Sequence, residues 1–204
     1  MVQFDLGGEW ALSFGTTESR GKVPGSVYSF LLGEGKIPDP FVGENELSAL
    51  ALMDEGPFTF ARVFTLPDTL AACGKKLLRC EGLDTLCTLS LNGKEIGRAD
   101  NMHRIWEFDV TDSLVPGENR LEVCFLSPTK EAAKRYEADP IGGSTDAMRG
   151  FPHIRKAHCM YGWDWGPRLP DAGIWRPVAL LGLDGARLTD VHIRQRHEGG
   201  RVWL

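Results

Sequence analysis

The sequence of 204 residues lacks long apolar runs and clustered charge of one sign. No stretch reaches the roughly 18 consecutive apolar residues that a membrane-spanning helix needs. The 23 lysines and arginines are scattered and the formal net charge is -5, so the clustered positive face that favours nucleic acid is absent. Residues 1–8 contain neither a basic start nor an apolar run, which predicts no signal peptide. We therefore expect neither a membrane nor a nucleic-acid partner.

Familiar catalytic and metal-binding motifs are also missing. The sequence contains no Gly-x-Ser-x-Gly nucleophile motif, no P-loop and no dinucleotide-binding glycine motif after a strand. His103, His153 and His158, with Cys159 nearby, invite a metal reading, but they show neither His-Glu-x-x-His nor zinc-ribbon spacing. Isolated histidines of this kind are usually ordinary polar residues, so the sequence predicts no metal and no cofactor.

The cysteines favour reduced thiols over disulfides. Their number, 5, is odd, and no two are spaced as Cys-x-x-Cys. A disulfide framework would suit a shorter chain that is richer in cysteine. We therefore expect small core residues in a reducing compartment, and a cytoplasmic location. The cysteines are Cys73, Cys80, Cys87, Cys124 and Cys159.

Turn residues are abundant and separate short apolar runs. The chain has 24 glycines and 12 prolines, and many of the segments between them alternate apolar and polar residues, which is typical of an all-β sandwich or barrel. Asn92-Gly93 between two such segments is a strong hairpin signal, because both turn residues need positive φ. The succession of strands and turns predicts antiparallel pairing. The predicted strands cover residues 9–14, 58–64, 76–81, 85–91, 94–99, 106–110 and 121–125.

Helices are predicted to be few and short. Residues 26–32 and 45–53 each favour one, with Ser26 and Asn45 as the N-cap residues. A third is predicted over residues 130–137, where good helix formers dominate. The rest of residues 127–156 is poor in apolar side chains, so it is predicted to be a long excursion from the sheets. Such excursions are often functional.

The sequence predicts two domains of unequal size. The sandwich closes after the apolar residues 178–181, so we assign residues 1–183 to it. Residues 184–204 are assigned to the start of a truncated second domain. Within that segment, strands are predicted at residues 188–194 and 202–204, joined by a turn at residues 197–200.

A tryptophan-rich segment, Tyr161 to Pro167, carries the best candidate site. Trp163 and Trp165 flank Asp164, and Trp175 follows ten residues after Trp165. Sugars present C–H faces that stack on aromatic rings and hydroxyls that need acceptors, and this segment supplies both. In an extended chain the two indoles share one side and the carboxylate faces the other, so a turn at Gly162 or at Gly166-Pro167 is required. The equally weighted alternative is that the tryptophans anchor a loop in the core while Asp164 caps backbone N–H groups.

Two other charged features, the Arg155-Lys156 pair and Glu46, could in principle bind a ligand or act in catalysis. Arg155 and Lys156 could pair with Asp164 or reach a ligand, although such a dibasic pair is more often a solvated surface feature. Glycoside hydrolysis needs two carboxylates on opposite sides of one sugar. Glu46 has no evident carboxylate facing it and is interpreted as structural, or as a charge near a helix N-terminus. No catalytic residue is therefore assigned.

Taken in order, several motifs resemble one known family. The chain is similar to the N-terminal domain of β-mannosidases of glycoside hydrolase family 2. It departs from that family's pattern at Phe58, His103, His153 and His158, where Trp, Phe, Phe and Gln are more usual. These departures leave the implied fold unchanged and bear on the fine shape of the sugar pocket. The motifs are Val23-Pro24-Gly25-Ser26-Val27, residues 35–40 and 43–46, residues 81–85, 91–93 and 101–104, Ile154-Arg155-Lys156-Ala157, Gly162-Trp163-Asp164-Trp165-Gly166-Pro167 and residues 173–178.

The resemblance implies a fold, a substrate and a set of binding residues. It implies a galactose-binding-domain-like, antiparallel jelly-roll β-sandwich, followed by an immunoglobulin-like domain that would begin within residues 184–204 and by a (β/α)₈ barrel carrying two catalytic glutamates. Asp164 would bind hydroxyls of the terminal β-mannose with Trp163 beside it, and Asn101 and Arg155 are further substrate-binding candidates.

The resemblance also implies how this chain would act. The whole enzyme would be a retaining exo-β-mannosidase acting on β-mannosides or manno-oligosaccharides, whereas this chain alone would hydrolyse nothing. Three alternatives stay open: a free-standing carbohydrate-binding module, the same domain of a galactosidase or glucuronidase, and a bracing domain that touches no sugar. Self-association as a homodimer also stays open.

Overall fold

Two antiparallel sheets form the body of the molecule in a computed structural model that describes residues 1–164 and 166–204. One sheet has the strand order β1-β13-β6-β10 and the other the order β3-β2-β5-β11-β8-β9. The strands are β1 (Val2–Asp5), β2 (Gly8–Phe14), β3 (Thr17–Val23), β4 (Gly25–Ser26), β5 (Phe58–Thr65), β6 (Lys75–Cys80), β7 (Leu83–Asp84), β8 (Cys87–Leu91), β9 (Lys94–Ala99), β10 (Trp106–Asp109), β11 (Glu118–Phe125), β12 (Gly173–Ile174), β13 (Val178–Leu183), β14 (Arg196–Glu198) and β15 (Arg201–Trp203).

The alternating pattern of the sequence places most of the predicted strands correctly. In β2, Trp10, Leu12 and Phe14 are buried while the residues between them are exposed. This is the period of two that puts successive side chains on opposite faces of a sheet. All pairings within the two sheets are antiparallel. The predicted antiparallel jelly-roll β-sandwich is confirmed.

The core lies between the two sheets. Phe60 of β5 is fully buried and meets the rings of Phe30 and Phe125 edge to face, with ring centroids 5.1 and 5.6 Å apart. Leu78 of β6 and Leu180 of β13 enter the same cluster from the other sheet. Because one cluster takes side chains from both sheets, burying it stabilises their stacking. Three of the five free cysteines, Cys73, Cys80 and Cys87, are buried.

The Asn92-Gly93 hairpin is confirmed. Asn92 and Gly93 have φ of 55° and 79° and connect β8 to β9. The Asn92 carboxamide also accepts a hydrogen bond from the backbone N–H of Arg120 at 2.9 Å and donates one to the Ser113 carbonyl oxygen at 2.9 Å. The side chain therefore fixes the turn against the start of β11.

Among the described residues, four short α-helices accompany the sheets, which agrees with the prediction of few and short helices. Ser26 caps the first helix with a reciprocal capping box, as predicted, whereas Asn45 does not act as an N-cap. Asn45 is the first helical residue, and its side chain donates to the Asp39 carbonyl oxygen instead. The described residues include no helix of the length and apolarity needed to cross a bilayer. The helices are α1 (Val27–Gly33), α2 (Asn45–Leu52), α3 (Asp68–Ala71) and α4 (Pro128–Ala138), with single 3₁₀ turns at Met53–Glu55, Phe151–His153 and His158–Tyr161.

A small third sheet, in the order β4-β12-β7, joins distant segments of the chain. Gly173 pairs with Ser26 on one side and with Asp84 on the other. A Cβ atom on Gly173 would lie 2.5 Å from the Gly25 carbonyl oxygen, so only glycine fits there. This sheet brings the chain after the tryptophan-rich segment beside the start of α1.

Residues 184–204 carry the hairpin β14–β15, whose turn is Gly199-Gly200. The predicted strand over residues 188–194 is wrong, because no strand forms there and Leu188, Val191 and Ile193 are 65–85% exposed. Alternation of apolar and polar residues gives a segment one apolar face, but a strand also needs a neighbouring strand with which to form backbone hydrogen bonds. The assignment of residues 1–183 and 184–204 to separate domains stays a prediction.

Candidate functional site

Trp163 and Asp164 lie on a tight turn at the molecular surface. Trp163 bridges to Gly166, whose N–H donates to the Trp163 carbonyl oxygen at 3.4 Å. The turn starts from Gly162, which has a φ of 99°, a conformation that favours glycine. The segment is therefore not extended, and the turn spans Trp163 to Gly166, between the two proposed places at Gly162 and Gly166-Pro167. Trp165 lies outside the described residues, and so does the prediction that it shares a face with Trp163.

The turn presents an indole beside a carboxylate. Trp163 is 48% exposed, and Asp164 is exposed as well. Within residues 1–164 and 166–204, the Asp164 carboxylate makes no hydrogen bond or ion pair, so the proposed capping of backbone N–H groups has no support there. An exposed ring next to an acceptor is suited to the C–H face and the hydroxyls of one sugar.

Hydrogen bonds on both flanks hold the turn in place. The Arg168 backbone N–H donates to Glu46 Oε1 at 2.7 Å, and the Arg168 guanidinium donates to the Asp146 carbonyl oxygen at 3.2 Å. The Leu169 N–H donates to the Met160 carbonyl oxygen at 2.9 Å. Glu46 thus fits both sequence interpretations, because it is an acidic residue in the first turn of α2 and it ties that helix to the flank of the turn.

Asn101 and Arg155 are brought together by the fold. Their backbones form an isolated parallel bridge, and the Met102 N–H donates to the Arg155 carbonyl oxygen at 3.0 Å. The Asn101 side-chain oxygen accepts from the His103 N–H at 2.9 Å, so the Asn101 amide and the exposed Arg155 guanidinium are the groups available to a ligand. No hydrogen bond connects this pair to the turn in the part of the chain that the structure describes.

Lys156 is not the surface residue that the sequence suggested. Its side chain is 0% exposed, it forms an ion pair with Asp84 Oδ2, and it donates to the Asp171 carbonyl oxygen at 2.7 Å. The possible pairing with Asp164 is therefore wrong. Ile154 is buried, Arg155 exposed and Lys156 buried, so alternation from Ile154 was the signal that could have placed the lysine inside.

Asp84 and Asp171 were not singled out from the sequence, yet both are buried and both contact Lys156. Asp171 Oδ1 accepts from the Ala172 N–H at 2.8 Å and from the Tyr28 N–H at 3.3 Å. Burial raises the pKa of the Asp171 carboxyl to about 6, because removal from water disfavours the charged form. No local pattern marks these aspartates, since their partners lie far away in sequence.

Trp175 has a packing role. A Cβ atom on Gly82 would lie 2.5 Å from the Trp175 Nε1 atom, and the Arg176 guanidinium lies over the indole at 4.1 Å from the ring centroid. The indole, which is partly buried, therefore packs against Gly82 and beneath the Arg176 guanidinium.

Two of the three histidines singled out from the sequence, His153 and His158, have ring nitrogens that make local hydrogen bonds. The His153 ring bonds the Asp139 carbonyl oxygen at 2.8 Å, and the His158 ring bonds that of Ile154 at 3.2 Å. Within the described ranges, no group of three or more His, Cys, Asp or Glu side chains could hold a metal ion.

Comparison with known proteins gives one consistent family. Residues 10–176 match the family model described as glycosyl hydrolase 2 galactose-binding domain-like. The β-mannosidase B of Emericella nidulans is 37% identical over 189 residues, which are 88% of this chain and 22% of that protein. The β-mannosidase of Bos taurus is 34% identical over 190 residues, which are 88% of this chain and 21% of that protein. The chain thus spans about a fifth of the length of these curated relatives.

Solved structures agree with the fold. The crystal structure of a β-D-mannosidase from Dictyoglomus thermophilum is 40% identical, has a TM-score of 0.91, and is matched over 98% of this chain and 25% of that one. A β-glucuronidase from an uncultured Clostridium species, at 20% identity and a TM-score of 0.63, shares the fold. The matched range contains Asp164, Asn101 and Arg155. On this basis, the chain belongs to the galactose-binding domain-like family of glycosyl hydrolase family 2 and is an N-terminal domain of that kind.

Proposed function

We propose that this chain is the N-terminal sugar-binding part of a β-mannosidase, and that its Trp163-Asp164 turn binds the terminal β-linked mannose. The observation that carries the proposal is an exposed indole and an exposed carboxylate on one anchored turn, in a chain whose similar proteins are named β-mannosidases. The carboxylate would accept hydrogen bonds from sugar hydroxyls while the indole contacts the C–H face of the ring.

The chemistry itself is assigned to a part of the protein that is not in this chain. Retaining glycosidases use one carboxylate as nucleophile and a second as acid and base, placed on either side of the scissile bond. We assign neither role to a carboxylate of this chain. Asp164 would therefore contribute orientation, which lowers the barrier by holding the glycosidic bond at the catalytic groups.

Asn101 and Arg155 are proposed as a second contact region for the same substrate. The structure leaves an amide donor on Asn101 and an exposed guanidinium on Arg155. Both are donors, so they suit hydroxyl or ring oxygens and complement the acceptor Asp164. We expect Asn101 to contribute less than Asp164, because a hydrogen bond between neutral groups is worth less than one to a charged carboxylate.

The test is the substitution Asp164→Asn in the full-length protein that contains this chain. Asn keeps the shape of the side chain and removes its charge. A hydrogen bond to a charged group is worth about 1.5–3 kcal/mol, so we expect kcat/KM for a nitrophenyl β-mannoside to fall roughly 10- to 100-fold per bond lost. Asp112→Asn is the matched control, because Asp112 is also an exposed loop aspartate that makes no hydrogen bond or ion pair with another described residue.

Two results would contradict the proposal. The first is an Asp164→Asn enzyme with the same kcat/KM as the Asp112→Asn enzyme. The second is an unmutated full-length protein that cleaves β-galactosides or β-glucuronides faster than β-mannosides. A titration of the 204-residue chain with mannose, followed by NMR, separates a further alternative, because a free-standing binding module would bind the sugar without the rest of the protein.

A further inference from the structure

A buried lysine closes the base of the loop that carries the turn. Lys156 and Asp171 lie at the two ends of residues 157–170, and the Lys156 Nζ atom donates to the Asp171 carbonyl oxygen at 2.7 Å. The same ammonium forms an ion pair with Asp84 of β7. One side chain therefore joins both ends of the loop to each other and to the small third sheet.

The second end of the loop is tied down independently. The Asp171 carboxylate accepts from the Tyr28 N–H at 3.3 Å in the first turn of α1, and from the Ala172 N–H at 2.8 Å. The Val27 N–H donates to the Ala172 carbonyl oxygen at 2.9 Å. The loop thus starts and ends at two points fixed to the sandwich, and Lys156 is the side chain that joins these two points to each other.

Stability by itself does not explain a charged pair at this place. The Lys156 and Asp84 side chains are only 0% and 6% exposed, and removing two charges from water costs several kcal/mol that their attraction repays only with good geometry. Apolar side chains of similar volume often serve stability as well or better. A lysine does offer three donors, and here it uses them on two separate segments.

We propose that Lys156 is a positioning residue, which holds the Trp163-Asp164 turn in the orientation that binds sugar. It acts through Asp171 and Asp84 and does not touch the substrate. The expected effect of Lys156 on KM rests on the proposed function. Its expected effect on the order of the loop does not, because that can be measured without any sugar.

The experiment compares Lys156→Met with Lys76→Met in the full-length protein that contains this chain. Lys76 is a matched control, since it is also buried and donates to a backbone carbonyl, that of Cys73 at 2.7 Å, on the far strand β6. Hydrogen–deuterium exchange is followed in peptides covering residues 158–170. Relative to Lys76→Met, we expect Lys156→Met to speed exchange in this loop at least about 10-fold and to raise KM for a β-mannoside more than it lowers kcat.

A second variant separates positioning from the cost of a lone buried charge. Lys156→Met leaves the Asp84 carboxylate without its partner, whereas Lys156→Met with Asp84→Asn removes both charges. We expect the double variant to recover the urea midpoint of the unsubstituted protein while its loop still exchanges fast and its KM stays raised. Its bond to the Asp171 carbonyl oxygen is lost in either case.

Three outcomes would overturn the inference. In the first, the loop exchanges hydrogen at the same rate in Lys156→Met as in Lys76→Met. In the second, the double variant regains slow loop exchange together with its urea midpoint, and in the third the double variant does not fold. The last would show that the lysine is needed for folding as such. If Asp164→Asn leaves kcat/KM unchanged, the proposed sugar contact fails, but the exchange data still decide whether Lys156 orders the loop.

Discussion

The buried Asp171 carboxyl should make the free energy of unfolding depend on pH in the direction opposite to that of most protein carboxylates. Burial raises its pKa from 3.8 to about 6 in the folded chain. A carboxyl in the unfolded chain, surrounded by water, keeps the lower value. Replacing Asp171 by Asn keeps an oxygen that can accept from the Tyr28 and Ala172 N–H groups, but it removes the titration.

The sign and size follow from proton linkage. Between pH 4 and pH 6 the folded state binds the proton more tightly than the unfolded state, so the contribution of Asp171 to stability falls as pH rises. It is most favourable below pH 4 and reaches its minimum above pH 6. The pKa difference of about two units corresponds to about 3 kcal/mol. The free energy of unfolding of Asp171→Asn, relative to the unsubstituted chain, should therefore rise by about 3 kcal/mol between pH 4 and pH 7.

Urea unfolding of the two proteins at pH 4, 5, 6, 7 and 8, followed by tryptophan fluorescence, measures this difference. Asp109→Asn is the control, because hydrogen bonds from Thr111 lower the pKa of the Asp109 carboxyl. Its contribution is fully present well above the unfolded pKa of 3.8 and is lost only as pH falls below that value, so the effect of Asp109→Asn should stay nearly constant between pH 5 and pH 8. A difference for Asp171→Asn that stays equally constant over this range, or that falls as pH rises, would refute the reasoning.

Two further substitutions test the packing that supports the site. Phe60→Ala removes a fully buried ring from between Phe30 and Phe125 and should lower the free energy of unfolding by about 3–5 kcal/mol, whereas Phe41→Ala, at a ring that is 75% exposed, should change it by less than about 0.5 kcal/mol. Gly173→Ala places a Cβ atom 2.5 Å from a backbone oxygen and should cost about 1–3 kcal/mol, while Gly33→Ala, whose new methyl group meets nothing within 4 Å, should cost nothing. The change in free energy of unfolding is measured from urea midpoints for each pair of variants. Equal changes for the buried and the control position in either pair would contradict the packing described here.

Sequence patterns with a short range were sufficient for the framework of the fold. The alternation around Trp10, Leu12 and Phe14 predicts β2 because the pleat puts every second side chain on one face. Asn92-Gly93 predicts its hairpin because few other residues adopt positive φ twice in succession. The same reasoning was wrong for residues 188–194, where alternation is present but no neighbouring strand is.

For the site, the sequence identified the segment but not its supports. Composition alone marked Trp163 and Asp164 as candidates, and their exposure on a tight turn agrees with that choice. Local reasoning also took Lys156 for a surface residue, since lysine is rarely buried without a partner. Its partner Asp84 lies on β7, which is far away in the chain, so only the closed fold reveals the pair.

What the sequence determined by itself is the family, the antiparallel sandwich and the turn that carries Trp163 and Asp164, because these depend on local periodicity and on motifs in order. Tertiary structure alone decided that Lys156 is buried against Asp84 and Asp171, and that Arg155 beside it is exposed next to Asn101. The physical reason is that burial and ion pairing depend on which distant strands the closed sandwich brings together. Those neighbours decide whether a charged side chain is solvated, paired or buried alone.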